Sequence, residues 1–595
     1  MKLKKAFGVL GILILVSSLF IVIYCSTPSE HYDVIIRDTT IVDGTGTASF
    51  KGSLAIKGEK IAAVGKVRGD ADILIDGSGM ITCPGFIDPH NHSDVSIMQF
   101  PEAKNFIQQG ITTIVAGNCG LSPAPTQDLT FGAWLTKVEE MGISINLAMM
   151  VGHNTIRELV MIDDFKREAS EEEVAKMKVF LEDAMKEGAF GLSAGVDPPW
   201  FGFFASIEEK VELCKVAAEY GGFYSPHLKH ARNHWMTNNL DEYSYVFYYG
   251  PAERILVGKY EGVMEAIEVC RQAGIPLHIA HYFNTYVLPL PHPDYLEEAA
   301  ARASMDILHK ANEEGITVTC DLVLPPRSQT VKRVADEFRT ERFNYPDWLW
   351  KLSRKELAEN LESREFRAKI RELYDACKVK FSMIHTKIDP YWMNCIKIIQ
   401  CSNKNYEGKF VSEIAQMRNT DALDAVFDII VEDPEAKWLI YWDRRSNQIA
   451  ISTMLQSPLC EPCTDDFAIT DSLADLPFEP DASGAVTATS FGMYPYYIKT
   501  YVKELGKLTL EEAVKKATSQ PAKRLGLKRG ILSPGAYADI VVFDFDKIDM
   551  KVDFLQPDQK PEGIEYVLVN GKIAFKDKAH TGTRSGKVLR RKSNL

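Results

Sequence analysis

Pro84-Gly85-Phe86-Ile87-Asp88-Pro89-His90-Asn91-His92 is the stretch on which the fold turns. Apolar residues at Ile73-Leu74-Ile75 and Met80-Ile81 lead into it and read as strand on either side of a glycine turn. The strand runs on past Gly85, and two histidines follow one residue apart. Residues i and i+2 of an extended chain share a side, so His90 and His92 can present two imidazoles to one metal ion. A bare His-x-His is as easily coincidence, and the rest of the chain has to supply further ligands.

Downstream, the middle of the chain alternates helices and strands, which implies a parallel sheet. Helical stretches at 103–109, 171–186, 207–219, 262–273 and 304–312 precede strands at 112–116, 189–193, 223–226, 276–280 and 317–321. This beat favours a (β/α)8 barrel over an open sheet, and such barrels carry their chemistry where strands end and loops begin. Cys119 follows one strand in Gly117-Asn118-Cys119-Gly120. His227 and His281 follow two others, and Asp465 lies late in the barrel in Pro462-Cys463-Thr464-Asp465-Asp466. Each alone reads as a buried cysteine, a structural histidine or a loop acid. Together with His90 and His92 they make six candidate ligands at one face, and thiolate plus imidazole suits Zn²⁺. His230, His234 and His278 are assigned to helix, loop or a supporting role. His278 lies an odd number of residues from His281, which turns it to the opposite face of one strand.

Both chain ends are strand-rich. Val34-Ile35-Ile36, Leu54-Ala55-Ile56 and Ile61-Ala62-Ala63-Val64 have their counterparts in Ile540-Val541-Val542-Phe543 and Val567-Leu568-Val569. They predict a small β-sandwich or barrel domain from residues 33–82 and 525–595, around a catalytic barrel at 83–524. The charged, aromatic-rich segment 322–379 is expected to insert after a strand end as a lid or a surface hairpin. Trp200 to Phe204 is a second apolar stretch that could line a pocket.

A chain of 595 residues has room for a large catalytic domain and a smaller one. Its net charge of −13, with no basic block, argues against nucleic acid as a partner. The eleven cysteines are scattered rather than framed as a disulfide scaffold. Cys460-Glu461-Pro462-Cys463 has no second cysteine pair beside it and is read as loop. At the N-terminus, Lys2, Lys4 and Lys5 precede an apolar run from Ala6 to Tyr24, with Cys25 next. Residues 1–25 read as a signal peptide or membrane anchor. Cys25 suggests lipoprotein processing, although Tyr24 is bulky for such a site; an uncleaved anchor and simple secretion are the other readings. All three expect an exported protein, and the first two one held at the membrane.

These residues resemble the amidohydrolase superfamily, and within it the N-acyl-D-amino-acid deacylases. The His-x-His stretch and the C-terminal Ala538-Asp-Ile-Val-Val-Phe-Asp544 and Val567-Leu-Val-Asn-Gly571 occur across the superfamily. Gly117-Asn-Cys-Gly120 and Gly191-Leu-Ser-Ala-Gly195 point to this branch, with Phe223-Tyr-Ser-Pro-His227, Ile279-Ala-His281 and Phe491-Gly-Met-Tyr-Pro495 alongside. The resemblance implies a tight zinc at Cys119, His227 and His281, and a second, weaker or absent ion at His90 and His92 with Cys119 able to bridge. It also implies a metal-side and catalytic aspartate at Asp465, with Asp466 and Asp471 as alternatives, acting as base and then acid in hydrolysis of an N-acyl-D-amino acid.

The departures bear on substrate. Lys229 stands where relatives carry Arg, Phe283 where they carry Lys, and Tyr496 where they carry Arg. Lys229, Tyr282 and Tyr496 are the candidate substrate contacts. Weakened basic positions suggest a small-molecule amide less acidic than a simple N-acetyl-D-amino acid. A dipeptide or cyclic amide is the rival substrate, and a non-catalytic ligand-binding lipoprotein on a degenerate barrel is the rival from another class.

Overall fold

In a computed structural model of the chain, the described residues are 30–162, 164–196, 201–229, 258–282, 293–324, 329–339, 345–376, 379, 392–441, 448–476, 486–487, 489–553 and 555–591. The N-terminal segment with Cys25, Trp200, His230, His234 and Phe283 lie outside them.

The barrel is an α/β unit of eight strand positions in sequence order. Phe86–Asp88 pairs with Ile111–Ala116, which pairs with Asn146–Met149; Met150 alone separates that strand from its continuation, Val151–Gly152. Gly191–Gly195, Phe223–His227, Leu277–Ile279, Val318–Val323 and Cys460–Cys463 follow, every pairing parallel. The strands are buried on both faces, as a parallel sheet under a helix layer must be. Helix Glu171–Lys186 starts on a capping box, Ser170 accepting from the Glu173 amide, and turns Met177, Leu181, Ala184 and Met185 inward.

Three elements are added and one expectation changes. The strand Asn146–Met149 and the helices Phe131–Met141 and His153–Met161 had no assignment from sequence. Cys460–Cys463 is no loop but the eighth barrel strand, in register with Cys320 to Val323. The loop reading rested on the missing second cysteine pair; Pro462, which cannot donate to a ladder, is tolerated in the strand for a reason of its own. Its carbonyl accepts from Tyr494 Oη, which also donates to the Ile87 carbonyl, so Pro462 turns its polar edge to the seam between first and last strands. That seam closes without ladder pairing. Asp88 accepts from the Thr464 amide (3.0 Å) and hydroxyl (2.5 Å), the Asp465 amide donates to the His90 carbonyl, and the His92 amide to the Asp466 carbonyl.

The chain ends build one nine-stranded sheet. Ile540–Phe543 pairs antiparallel with Ile81–Pro84, which joins the C-terminal strands to those of the N-terminal half. Residues 586–591 then run under the barrel, hydrogen-bonded to Ile143, Leu147 and Gly188. The segment expected to insert at 322–379 contributes to a separate core that starts at Val334 and continues to Trp438, around a three-stranded antiparallel sheet.

Candidate metal centre

Each candidate ligand hangs from a barrel strand end. Cys119 follows Ile111–Ala116 in a loop that only glycine can frame. Gly117 has φ +77°, and a Cβ there would stand 2.2 Å from the Met150 carbonyl oxygen. Gly120 has φ +80°, and its Cβ would stand 2.3 Å from Asn154 Oδ1. Between them Cys119 itself takes a left-handed φ of 53°. Ser193 clamps this loop, its hydroxyl donating to the Gly117 carbonyl (2.6 Å) and accepting from the Gly120 amide (3.0 Å).

Cys119 Sγ is 3.3 Å from His281 Nε2, 3.5 Å from His90 Nε2 and 3.6 Å from His227 Nδ1. Cys119, His227 and His281 form one group whose donor atoms lie within 4.8 Å of one another, and His90, His92 and Cys119 form a second; the sulfur belongs to both. All are buried except His92, which keeps 20% of its side chain exposed. Asp465 faces the second group, its Oδ1 3.3 Å from His92 Nε2 and 3.5 Å from His90 Nε2, with 26% of its side chain exposed. His281 (φ 33°) and Asp465 (φ 52°) share the left-handed backbone of Cys119. Such conformations cost of order 1–3 kcal/mol each and persist where the surroundings enforce them.

Burial pushes the Cys119 thiol up, but His281 and His90 more than offset it, and the thiol is held well below its ordinary value. Burial pulls His92 down, yet the hydrogen bond to Asp465 and the neighbouring Cys119 carry it up to about 10. Once metal displaces the histidine protons, the cluster offers one thiolate and several imidazole nitrogens, a donor set that fits Zn²⁺.

The two aspartates left open by the sequence have different surroundings. Asp466 is fully buried, with Oδ2 accepting from Ser490 Oγ at 2.5 Å and Oδ1 from the Phe467 amide. Asp471 pairs with Lys560 at 3.2 Å. Of the three, Asp465 alone is placed against the histidines.

The substrate contacts fare less well. The Tyr282 side chain is buried, and its hydroxyl donates to the Ser304 carbonyl in the helix layer. Lys229 is engaged by Glu261 (3.0 Å) and Glu265 (3.6 Å). Tyr496 packs against the apolar cluster of Ile469, Phe491 and Met550, with its ring edge-on to Tyr501. Asp321, Asp88 and Ser193 were not singled out from sequence. Asp321 closes the expected strand 317–321, so the strand-end rule could have found it.

The amidohydrolase family matches residues 74–255 and 407–575. The D-aminoacylase of Alcaligenes xylosoxydans xylosoxydans is 26% identical, over 95% of this chain and 98% of its own length. The N-acyl-D-glutamate deacylase of the same organism is 27% identical, over 95% and 98%. Among solved structures, the N-acyl-D-glutamate deacylase of Bordetella bronchiseptica, complexed with zinc and a phosphonate inhibitor, superposes with a TM-score of 0.64 at 24% identity, over 94% of this chain and all of that one. Barrel, paired-end sheet and sequence match agree: this chain belongs to the amidohydrolase family.

Proposed function

We propose that the protein is a zinc-dependent hydrolase of a linear amide C–N bond, acting on N-acylated amino acids in the manner of its D-aminoacylase and N-acyl-D-glutamate deacylase relatives. The observation that carries this reading is the single buried sulfur of Cys119 shared by two ligand groups, with the part-exposed carboxylate of Asp465 on the open side. Cys119, His227 and His281 would hold one ion, and His90 and His92 with Cys119 a second. Zinc supplies a Lewis acid for the amide carbonyl and lowers the pKa of a water it binds.

The remaining work falls to the chain. Asp465 takes a proton from the attacking water and passes it to the departing nitrogen, since an amine anion is too poor a leaving group at neutral pH. Its left-handed backbone and the Asp465 amide bond to the His90 carbonyl aim the carboxylate at the histidines. Cys119, held as thiolate, needs no proton removed before it ligates.

Lys229 supports a narrower reading. Its ammonium is already engaged by two glutamates, so it is a weak anchor for a substrate carboxylate, which favours a less acidic amide or a dipeptide. A zinc-loaded soluble form is to be assayed against N-acyl-D-amino acids, N-acyl-L-amino acids and dipeptides. Hydrolysis of one class with dependence on added zinc is expected; no turnover and no bound metal would sink the proposal. Equal rates on simple N-acetyl-D-amino acids would sink the narrower reading alone.

The lysines and apolar run before Cys25 support export and anchoring by lipid at that cysteine. Labelled palmitate should enter the wild-type protein and not Cys25→Ala, and label in both would refute it.

A further inference from the structure

We infer that Asp321 is the positioning residue that couples the two halves of the metal centre, through the chain Thr319–His278–Asp321–His90. The inference rests on the zinc reading above.

Asp321 sits in the barrel strand Val318–Val323 and is fully buried. A carboxylate offers about four lone-pair positions; here three donors converge on it and the His90 ring stands beside the fourth. The His281 amide reaches Oδ1 at 2.7 Å and Cys463 Sγ reaches the same oxygen at 3.0 Å. His278 Nε2 reaches Oδ2 at 2.9 Å, and His90 Nδ1 lies 3.4 Å from it. His90 Nδ1 is buried and, at 3.4 Å from Asp321 Oδ2, stands within ion-pair range without hydrogen-bond geometry.

Each contact acts on a ligand. A proton on His90 Nδ1 facing Asp321 would leave Nε2 free for metal, and Nε2 already stands 3.5 Å from both Cys119 Sγ and Asp465 Oδ1. A ligating histidine is commonly fixed in this way by a carboxylate on its second nitrogen. The bond from the His281 amide secures a residue whose φ of 33° few side chains adopt, and the Tyr282 amide donating to the Asp321 carbonyl pins the same turn. His278 is the next link: with Nε2–H given to Asp321, its Nδ1 is left to accept from the Thr319 hydroxyl at 2.8 Å. Thr319 and His278 thereby orient the carboxylate that orients His90.

An amide at 321 would set an NH2 group against donors that already point inward. Zinc affinity of Asp321→Asn, by competition with a chromophoric chelator, should fall about 10–100-fold, the usual effect of losing such a partner. In the zinc-loaded, histidine-labelled wild type, the His90 Nδ1–H should give a slowly exchanging downfield imidazole proton, assigned by its loss in His90→Gln. Thr319→Val leaves Asp321 in place, guards against a misfolded Asp321→Asn, and should shift that proton. Wild-type zinc affinity in Asp321→Asn, or a His90 whose proton sits on Nε2, would overturn the inference. A wild-type protein that binds no zinc would overturn the zinc reading along with it.

Discussion

Cys119 Sγ stands 3.3 Å from His281 Nε2, although the two residues come from strand ends 162 positions apart in sequence. The same sulfur reaches His90 Nε2 at 3.5 Å, which makes one atom the junction of the site.

Removing that junction should cost more than removing an outer ligand. In Cys119→Ala, metal analysis is expected to find both groups depleted, with turnover down at least about a thousandfold, given the several kcal/mol a Lewis acid contributes. His92→Ala should lose only the ion of the second group and retain part of its activity. The reverse ranking would make the His-x-His pair the true centre.

Asp465 and Asp466 are adjacent yet separable. Asp465→Asn should fold, keep its metal and lose about 10²–10⁴-fold in turnover, the range for a general acid–base group. Asp466→Asn instead weakens the buried hydrogen bond from Ser490, and should lower stability by about 1–3 kcal/mol in denaturant melts while the folded fraction still turns over. A fully active Asp465→Asn would move the catalytic role elsewhere.

Ser193 holds the Cys119 loop with two hydrogen bonds. Ser193→Ala leaves a buried carbonyl and amide short of partners, which costs about 1–3 kcal/mol. Zinc affinity should fall as well, because the loop no longer fixes Cys119. Melts with and without chelator test this, and an unchanged pair of curves would refute it.

Acid stability should depend on Glu209, which is buried with His153 Nε2 at 2.8 Å and the Arg157 guanidinium beside it. Burial pushes its carboxyl up, but His153 and Arg157 hold it down at about 2, against an ordinary value of 4.5. A depressed folded pKa means the contribution is present above pH 4.5 and fades as pH falls from there through 2, by an amount on the order of 3 kcal/mol. Acid titration followed by circular dichroism should show Glu209→Gln less stable at neutral pH and flatter through that window; parallel curves would rule the pair out as a source of acid sensitivity.

The barrel was legible because its helices are amphipathic and capped. Glu171–Lys186 and Ile207–Glu219 fall where the apolar spacing puts them. Asn146–Met149 was not, since four buried residues carry no periodicity that separates strand from helix. Cys460–Cys463 was missed because it was weighed as a cysteine pair rather than as a strand; Pro462 fits there because the seam it faces has no ladder. In the site, the ligand residues could be read from their positions after strands, but what their supports hold could not. Ser193 and Asp321 act through hydrogen bonds to residues far away in sequence.

By itself the sequence determined the residue types that make this a metal-ligating barrel: a cysteine between two glycines, and histidines at successive strand ends. Those are local facts, set by turn chemistry and by side-chain periodicity along single strands. The tertiary structure put distances on the shared sulfur that the family resemblance had implied, and it alone decided that Asp465 rather than Asp466 faces both groups and that Asp321 stands beside them. Distances between strand ends depend on how the barrel closes, and that closure runs through Asp88 and Thr464, 376 residues apart.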